Sequence, residues 1–160
     1  MGFEIKSAKD MNKNTDTFLI YGAPGKGKTH TINFLPGKTL YISIDKSERP
    51  LKGNENIDIL DFNTHEAWKE WGDLTKWLNE QDISMYDNVV IDNISELFRS
   101  MLANLGRNGR NNRTPEMAHY QQVDFFTIDS FRFLQNLNKR LVFLAWETTA
   151  EHYTCLLYTS

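Results

Sequence analysis

A short apolar run followed by a glycine-rich turn is the feature that most constrains this chain. Residues 17–21 read TFLIY and residues 22–29 read GAPGKGKT, which fills every fixed position of the pattern G-x-x-x-x-G-K-[ST]. Because glycine permits a tight turn, successive backbone N–H groups can surround a phosphate there. The sequence therefore predicts a phosphate-binding loop between a strand and a helix over residues 29–35, whose positive end faces the phosphates.

The side chains of this loop predict the ligand. Lys28 supplies a positive charge to the β- and γ-phosphates of a nucleoside triphosphate, and the Thr29 hydroxyl is a ligand for Mg²⁺. ATP and Mg²⁺ are therefore the expected cofactors, and Lys28 is a predicted catalytic residue. The predicted nucleotide-binding residues are Gly22, Ala23, Pro24, Gly25, Lys26, Gly27, Lys28, Thr29 and His30.

The composition fits one compact domain and excludes several classes of protein. With 160 residues, 40% of them hydrophobic and 24% charged, the chain can bury a substantial core. Its single cysteine, Cys155, excludes an internal disulfide framework, and its longest apolar run, residues 141–146, is too short to cross a bilayer. We therefore expect a cytoplasmic protein with no membrane partner. Because 18 basic and 21 acidic residues give a net charge of −3, any nucleic-acid site must be local.

Strand-like and helix-like segments alternate along the chain. Runs rich in Ile, Leu, Val and Tyr predict four strands after the loop, at residues 39–45, 56–62, 88–92 and 140–147. Apolar residues at helical spacing predict three long helices, at residues 65–80, 95–105 and 115–138. Thr114 and Pro115 are the expected N-cap and first residue of the last helix. Five strands separated by helices predict a mostly parallel α/β sheet covered by helices on both faces.

Two of these helices have further predictable features. Trp68, Trp71 and Trp77 share one stripe of the segment 65–80, and core packing explains such a stripe better than a base-stacking platform does. Asn63 and Glu66 have the spacing of a capping pair for this helix. The last helix has its own buried candidates, which are Tyr120, Val123, Phe126, Phe133 and Leu137.

The strand at residues 88–92, NVVID, ends in an acid. After a complete phosphate-binding loop, a carboxylate in this place is expected to hold Mg²⁺ through water. Asp92 is therefore predicted to be a catalytic and metal-site residue together with Thr29. Asn93 and Glu96 are spaced to cap the helix that follows, which weakens Glu96 as a candidate catalytic base.

This order of elements resembles the core of RecA-like P-loop ATPases. More closely, the stretches VVIDNISEL, PEMAHYQQVDFF and LVFLAWE are similar to those of phage-encoded nucleotide-binding proteins, loosely described as AAA-family ATPases. Relatives of those proteins include RecA-like single-strand annealing proteins. The resemblance covers residues 15–152, which we expect to form a RecA-like P-loop domain after an N-terminal extension of residues 1–14.

The resemblance also implies acids near the γ-phosphate. In the RecA-like layout the final strand lies between the loop strand and the strand ending at Asp92, so Glu147 would approach the γ-phosphate. There Glu147 either orients or activates water, or it is a solvated acid at a strand end. RecA proteins also place a catalytic glutamate just after the second strand. Asp45 and Glu48 are the nearest acids, and Glu48 is taken as the catalytic candidate.

Residues 106–114, GRNGRNNRT, form a predicted basic loop. Arg107, Arg110 and Arg113 recur at every third position, and no acid occurs between Glu96 and Glu116. RecA-like recombinases contact single-stranded DNA with a loop in this place, so the resemblance implies DNA as a partner. A solvated surface loop and an arginine finger that reaches the ATP of a neighbouring subunit are the alternatives. RecA-like ATPases commonly form rings or filaments, which makes a homo-oligomer an expected partner.

Residues 153–160 form a tail that we expect to be non-native. Its last six residues, CLLYTS, resemble peptide translated from a sequencing adaptor. RecA-like cores continue with strands on the other side of the loop strand. The resemblance therefore implies a C-terminal truncation, with residues 17–21 left as an exposed edge.

Two classes of function agree with these features. The first is an ATPase of a phage, which acts in DNA recombination, replication or repair in the cytoplasm of the host cell. The second is a nucleotide-dependent binding or regulatory protein with little or no hydrolysis. A small-molecule kinase is a poorer third reading, because it needs an arginine-bearing lid for which only residues 107–113 could serve.

Overall fold

The computed structural model describes residues 2–11 and 16–147, and its centre is a five-stranded sheet. The strands are β1 (Thr17–Gly22), β2 (Thr39–Ser43), β3 (Ile57–Asp61), β4 (Asn88–Asp92) and β5 (Arg140–Trp146). They lie in the order β1-β5-β4-β2-β3, and each neighbouring pair is parallel, which confirms the predicted α/β fold. The predicted domain boundaries at residues 14–15 and 152, and the predicted tail at 153–160, lie outside the described residues.

The α-helices are α1 (Lys28–Thr31), α2 (Ala67–Glu80), α3 (Ile94–Arg107) and α4 (Met117–Gln135). Short 3₁₀ turns occur at Ala8–Asp10, Ile32–Phe34, Arg49–Leu51 and Thr64–Glu66. Among the helices that the structure describes, none combines the length and the hydropathy of a membrane span.

Two hydrophobic cores form on opposite faces of the sheet, because successive side chains of a strand point to opposite sides. On one face Ile42 and Ile91 belong to a core built against α2, α3 and α4. On the other face Tyr41 and Val90 pack with Ile32 and other side chains of the 3₁₀ turns. Helical elements therefore cover both faces as predicted, but the three long helices share one of them.

Parallel pairing brings the carboxyl ends of the strands to one edge of the sheet. In register, Gly22 of β1 pairs with Trp146 of β5, and Asp92 of β4 pairs with Ser43 of β2. Strand β5 lies between β1 and β4, in the place that the resemblance implied. Strand β1 is an edge strand, which pairs with β5 alone among the described strands. The phosphate-binding loop and Asp92 thus emerge at the same edge.

The helix after the loop is shorter than the predicted segment 29–35. Helix α1 has four residues and continues as the 3₁₀ turn Ile32–Phe34. Leu35 then adopts an extended conformation, which Pro36 favours in the residue before it. Because α1 is only about one turn long, its dipole is small, so the loop and Lys28 would contribute most to the binding of a phosphate.

Helix α4 begins two residues later than predicted. Glu116, rather than Thr114, is its N-cap, and the Glu116 backbone N–H donates to His119 Nδ1 at 2.9 Å. The predicted buried residue Phe133 is 43% exposed, whereas its neighbour Leu134 is fully buried. The packed face of this end of the helix is therefore one residue away from the predicted one.

The tryptophans of α2 pack to different extents. Trp71 is fully buried, as core packing predicts, and its ring meets that of Phe62 edge to face. Trp68 is half-buried against Phe126, with ring centroids 4.5 Å apart. Trp77 is 40% exposed and lies at the margin of the core. Asn63 caps the 3₁₀ turn before α2, because its Oδ1 accepts from the backbone N–H of His65 at 3.1 Å.

Trp71→Ala is expected to lower the free energy of unfolding by about 3–5 kcal/mol, because it leaves a large cavity in the core. Trp71→Phe should cost less, since Trp71 Nε1 has no hydrogen-bond partner among the described residues. Trp77→Ala is the matched control on the same helix, and its loss should be much smaller because the side chain is partly in solvent. Urea unfolding measures all three. Equal losses for Trp71→Ala and Trp77→Ala would contradict the packing described here.

Candidate nucleotide-binding site

The phosphate-binding loop owes its shape to two glycines with left-handed backbone angles. Gly25 has φ 75° and Gly27 has φ 78°, a region that residues with a Cβ rarely adopt. The side chain of Lys28 folds back over this loop. Its Nζ donates to the backbone oxygen of Gly22 at 2.7 Å and to that of Ala23 at 2.8 Å. The ammonium group is thereby held at the loop, next to the backbone N–H groups that would bind phosphate.

Thr29 and Asp92 meet although 63 positions separate them in the chain. Thr29 Oγ1 donates to Asp92 Oδ2 at 2.6 Å. The same carboxylate oxygen also accepts a hydrogen bond from the hydroxyl of Tyr41. Asp92 itself is only 2% exposed. The two residues predicted to serve Mg²⁺ are therefore in direct contact.

The protonation of this cluster follows from burial. Burial raises the pKa of the Asp92 carboxyl, while the hydrogen bonds from Thr29 and Tyr41 act in the opposite direction. Burial, and then the nearby Asp92 charge, strongly raise the pKa of the Tyr41 hydroxyl. Tyr41 therefore stays protonated and serves as a donor to the carboxylate. A cation beside Asp92 would further favour its charged form.

A second acid, Asp45, lies in the turn after β2. Asp45 Oδ1 accepts from the Ser47 hydroxyl at 2.5 Å and from the Ser47 backbone N–H at 3.1 Å. Its other oxygen accepts from Asn93 Nδ2 at 2.6 Å. The turn is fixed to β4 by the backbone N–H of Ile44, which donates to the Asp92 carbonyl at 2.8 Å. These contacts hold the Asp45 carboxylate beside Asp92.

A cleft of about 830 Å³ opens above these groups, within the size range of ligand pockets. Predicted site residues that line it are Pro24, Gly25, Gly27, Lys28, Thr29, His30, Asp92 and Glu147. Asp45, Ser47, Pro50, Arg99 and Trp146 complete the lining. Gly22, Ala23 and Lys26 belong to the loop but not to this lining, and the first two hold Lys28 through their carbonyl groups.

Glu48 is directed elsewhere. Its Oε2 accepts from the Ser43 hydroxyl at 2.5 Å, and the residue lies at the N-cap position of the 3₁₀ turn Arg49–Leu51 instead of lining the cleft. Strand β2 ends at Ser43, two residues earlier than predicted, so the turn places Asp45 at the cleft. Asp45 therefore replaces Glu48 as the acid after the second strand that can face a nucleotide.

The three arginines predicted to contact DNA are placed differently from one another. Arg107 is the last residue of α3, and its guanidinium donates to the His65 carbonyl. Arg110 and Arg113 are exposed in the loop before α4, where Arg113 has φ 65°. The loop is thus separate from the lining of the nucleotide cleft.

Several side chains at the cleft were missed in the sequence. Tyr41 reads as a core residue of a buried strand, since only its contact with Asp92 distinguishes it. Ser47 lies in a polar loop with no motif. Arg99 and Trp146 come from different elements and meet at the cleft. The one signal in the sequence is that Arg99 follows Ser95 by four residues, so both side chains lie on the same face of the predicted helix.

The donor set of the site suits Mg²⁺. Thr29 and Ser47 offer hydroxyl oxygens and Asp92 offers carboxylate oxygens, the hard ligands that Mg²⁺ prefers. The described residues contain no cluster of three or more His, Cys, Asp or Glu side chains fit for a metal. Mg²⁺ is usually held in proteins by one or two carboxylates, and phosphate oxygens and water complete its shell.

Comparisons with known proteins agree with this geometry. No curated protein matches the sequence. Among solved structures, a KaiC-like protein from the hyperthermophilic archaeon Pyrococcus horikoshii OT3 has a similar fold, with a TM-score of 0.53 and 13% sequence identity. The similarity covers 84% of this chain but only 62% of that protein. It shows that this chain shares its α/β fold with that KaiC-like protein.

A protein-family model adds a sequence-level match. The model is described as an AAA domain, and it matches residues 14–153, which is most of the 160-residue chain. With the loop, the buried acid and the cleft between them, this match shows that the chain belongs to the AAA domain family.

Proposed function

We propose that this chain binds Mg-ATP in the 830 Å³ cleft and hydrolyses it. The contact between Thr29 and Asp92 carries the proposal, because it joins the two predicted Mg²⁺ residues at the mouth of the phosphate-binding loop. Lys28 is held at the same loop by the carbonyl groups of Gly22 and Ala23. One site thus has a cation for the phosphates and oxygen ligands for the metal.

Each residue has a role that follows from its place. Lys28 would exchange its carbonyl partners for the β- and γ-phosphate oxygens. Thr29 and Asp92 would hold Mg²⁺, which when bound neutralises phosphate charge. Asp45 would orient the attacking water and accept its proton, because its carboxylate lines the cleft and is fixed by Ser47 and Asn93. Glu147, at the end of β5, is the second acid placed for this role.

One observation favours the alternative of a nucleotide-dependent binding or regulatory protein with little hydrolysis. Both oxygens of Asp45 already accept hydrogen bonds, at 2.5 Å from Ser47 and at 2.6 Å from Asn93. A water molecule at Asp45 would have to compete with these donors for the carboxylate oxygens. ATP turnover would then depend on Glu147 or on a partner.

The biological task is a further part of the proposal. The similarity of three sequence stretches to phage-encoded ATPases supports an origin in a phage and a role in DNA recombination, replication or repair. In that case the protein works in the cytoplasm of the host cell. The exposed Arg110 and Arg113 support single-stranded DNA as the partner. Assembly into a ring or filament would supply arginines to neighbouring sites.

Lys28→Ala is expected to weaken Mg-ATP binding about tenfold or more, because a charge-assisted contact with phosphate is lost. Lys26→Ala, in the same loop, changes the net charge equally but should lose less, since the side chain of Lys26 does not line the cleft. Titration calorimetry compares the two variants with the unmodified protein. An unchanged affinity in Lys28→Ala would contradict the assignment of the site.

Asp45→Asn is expected to lower kcat about tenfold or more while ATP affinity changes little, because general-base catalysis contributes roughly 10²–10⁴-fold. Glu48→Gln is the matched control, since it is also an acid-to-amide change in the same turn, but its side chain bonds to Ser43. Phosphate release measures both. Loss of turnover in Glu48→Gln with normal turnover in Asp45→Asn would return the catalytic role to Glu48.

Arg110→Ala with Arg113→Ala is expected to weaken single-stranded DNA binding and leave ATP affinity unchanged. Each lost phosphate contact reduces the salt dependence of log K by about 0.7, so the slope should flatten by up to about 1.4. The double variant Lys69→Ala with Lys76→Ala removes the same charge from exposed positions of α2. An equal salt slope in both double variants would identify a solvated loop. Loss of ATP hydrolysis with normal DNA binding would instead indicate an arginine finger in an oligomer.

A further inference from the structure

Arg99 lies on the part of α3 that is fixed to the nucleotide cleft. Helix α3 starts directly after Asp92 and its N-cap Asn93. The backbone N–H of Trp146, at the end of β5, donates to Ser95 Oγ at 3.0 Å. Residues four apart share one face of a helix, so Arg99 lies on the same face as Ser95. The side chain of Arg99 therefore lies near the end of β5.

The guanidinium of Arg99 rests on the ring of Trp146. Its Cζ is 5.3 Å from the ring centroid, which is the geometry of a cation–π contact. Both residues line the nucleotide cleft, together with Glu147 and Lys28. The contact therefore holds a positive charge at the wall of the proposed ATP site.

The charges around the cleft leave Arg99 available to a ligand. Asp45, Asp92 and Glu147 are the acids of its described lining, and Lys28 and Arg99 are the permanent cations. Lys28 donates to carbonyl groups of the loop. Among residues 2–11 and 16–147, no carboxylate forms an ion pair with Arg99. Its planar fork of N–H donors matches a phosphate better than a lysine does.

Arg99 also has room to move. It lines a second cleft, of about 430 Å³, whose other residues include Arg107 and the acid Glu96, and Glu96 accepts a hydrogen bond from Ser100 at 3.2 Å. The side chain therefore lies between the two clefts, and it is exposed to solvent. A cation–π contact at an exposed site is weaker than two charge-assisted hydrogen bonds to a phosphate. A phosphate within reach would thus draw the guanidinium away from Trp146.

We propose that Arg99 contacts the γ-phosphate of ATP bound in its own chain and leaves the Trp146 ring when it does so. This inference rests on the proposed function, since it requires ATP in the cleft. Arg99 then distinguishes a nucleoside triphosphate from a diphosphate, because only the former carries the phosphate that the guanidinium contacts. The residue belongs to the same chain as the phosphate-binding loop, unlike an arginine finger from a neighbour.

The first test compares nucleotide affinities. Calorimetry with a non-hydrolysable ATP analogue and with ADP, both with Mg²⁺, is done on the unmodified protein, Arg99→Ala and Arg132→Ala. Arg99→Ala should lose about tenfold or more in affinity for the analogue, and less than about twofold for ADP. Arg132→Ala removes an exposed arginine of α4 and should change neither. Equal losses for both nucleotides, or no loss for the analogue, would overturn the proposal.

Failure of the proposed function and failure of the role of Arg99 give different results in this test. If the unmodified protein binds neither nucleotide, the proposed function fails first. If it binds both and Arg99→Ala does not discriminate between them, only the role of Arg99 fails. Arg99→Lys keeps the charge without the planar fork, so it should recover part of the affinity for the analogue. If Arg99→Ala does not fold, Arg99→Lys replaces it in the affinity measurements. Equal losses of affinity for both nucleotides in Arg99→Lys would contradict the proposal.

The second test observes Trp146 directly. Release of the guanidinium should change the fluorescence of Trp146 more with the ATP analogue than with ADP. Trp146→Phe should lack this difference, because the other tryptophans, which are Trp68, Trp71 and Trp77, lie on α2. Arg99→Ala should lack it as well, because it has no guanidinium to leave the ring. Identical spectra with the two nucleotides in the unmodified protein would show that Arg99 does not leave the ring.

Discussion

The buried carboxylate of Asp92 is the group on which the rest of the site depends. It joins three parts of the chain, because its Oδ2 accepts hydrogen bonds from Thr29 at the start of α1, from Tyr41 of β2 and, at 3.3 Å, from Ser47 of the turn after β2. A buried carboxylate is costly unless it accepts hydrogen bonds. The same donors that stabilise it therefore also fix the loop against the sheet.

The order of the strands explains why Asp92 can contact several segments of the chain. Strand β4 lies at the centre of the sheet, with β5 on one side and β2 on the other. The carboxyl end of β2 leads to Asp45, and that of β5 leads to Trp146 and Glu147. The backbone N–H of Glu147 donates to the Gly22 carbonyl at 3.0 Å, which joins β5 to the start of the loop. Four connected backbone segments thus surround one cleft, and each contributes a charge.

The sequence predicted the parts of this arrangement that depend on local patterns. The loop motif, the strand at residues 88–92 and the capping of α3 by Asn93 follow from residues close together in the chain. The parallel sheet followed from the alternation of strands and helices. The resemblance supplied the position of β5, which periodicity alone does not determine.

Contacts between distant segments limited the prediction elsewhere. The resemblance implied an acid just after β2, for which Glu48 was chosen with Asp45 as the other candidate, but the end of β2 at Ser43 decides which acid faces the cleft. The exposure of Phe133 reflects the rotation of α4 against its neighbours, and a helix that is apolar on most sides gives little information about that rotation. Arg99 was missed because its partner, Trp146, lies on another element.

Helix α3 makes several of these long-range contacts. It runs from Ile94 to Arg107, and its 14 residues correspond to about 21 Å of helix. Ser95 fixes its first turn to β5, and Asn104 fixes its last turns to α2 by accepting from the Trp68 backbone N–H at 2.9 Å. Helix α3 therefore links the wall of the nucleotide cleft to the arginine loop through a single continuous element, held to the sheet at one end and to α2 at the other.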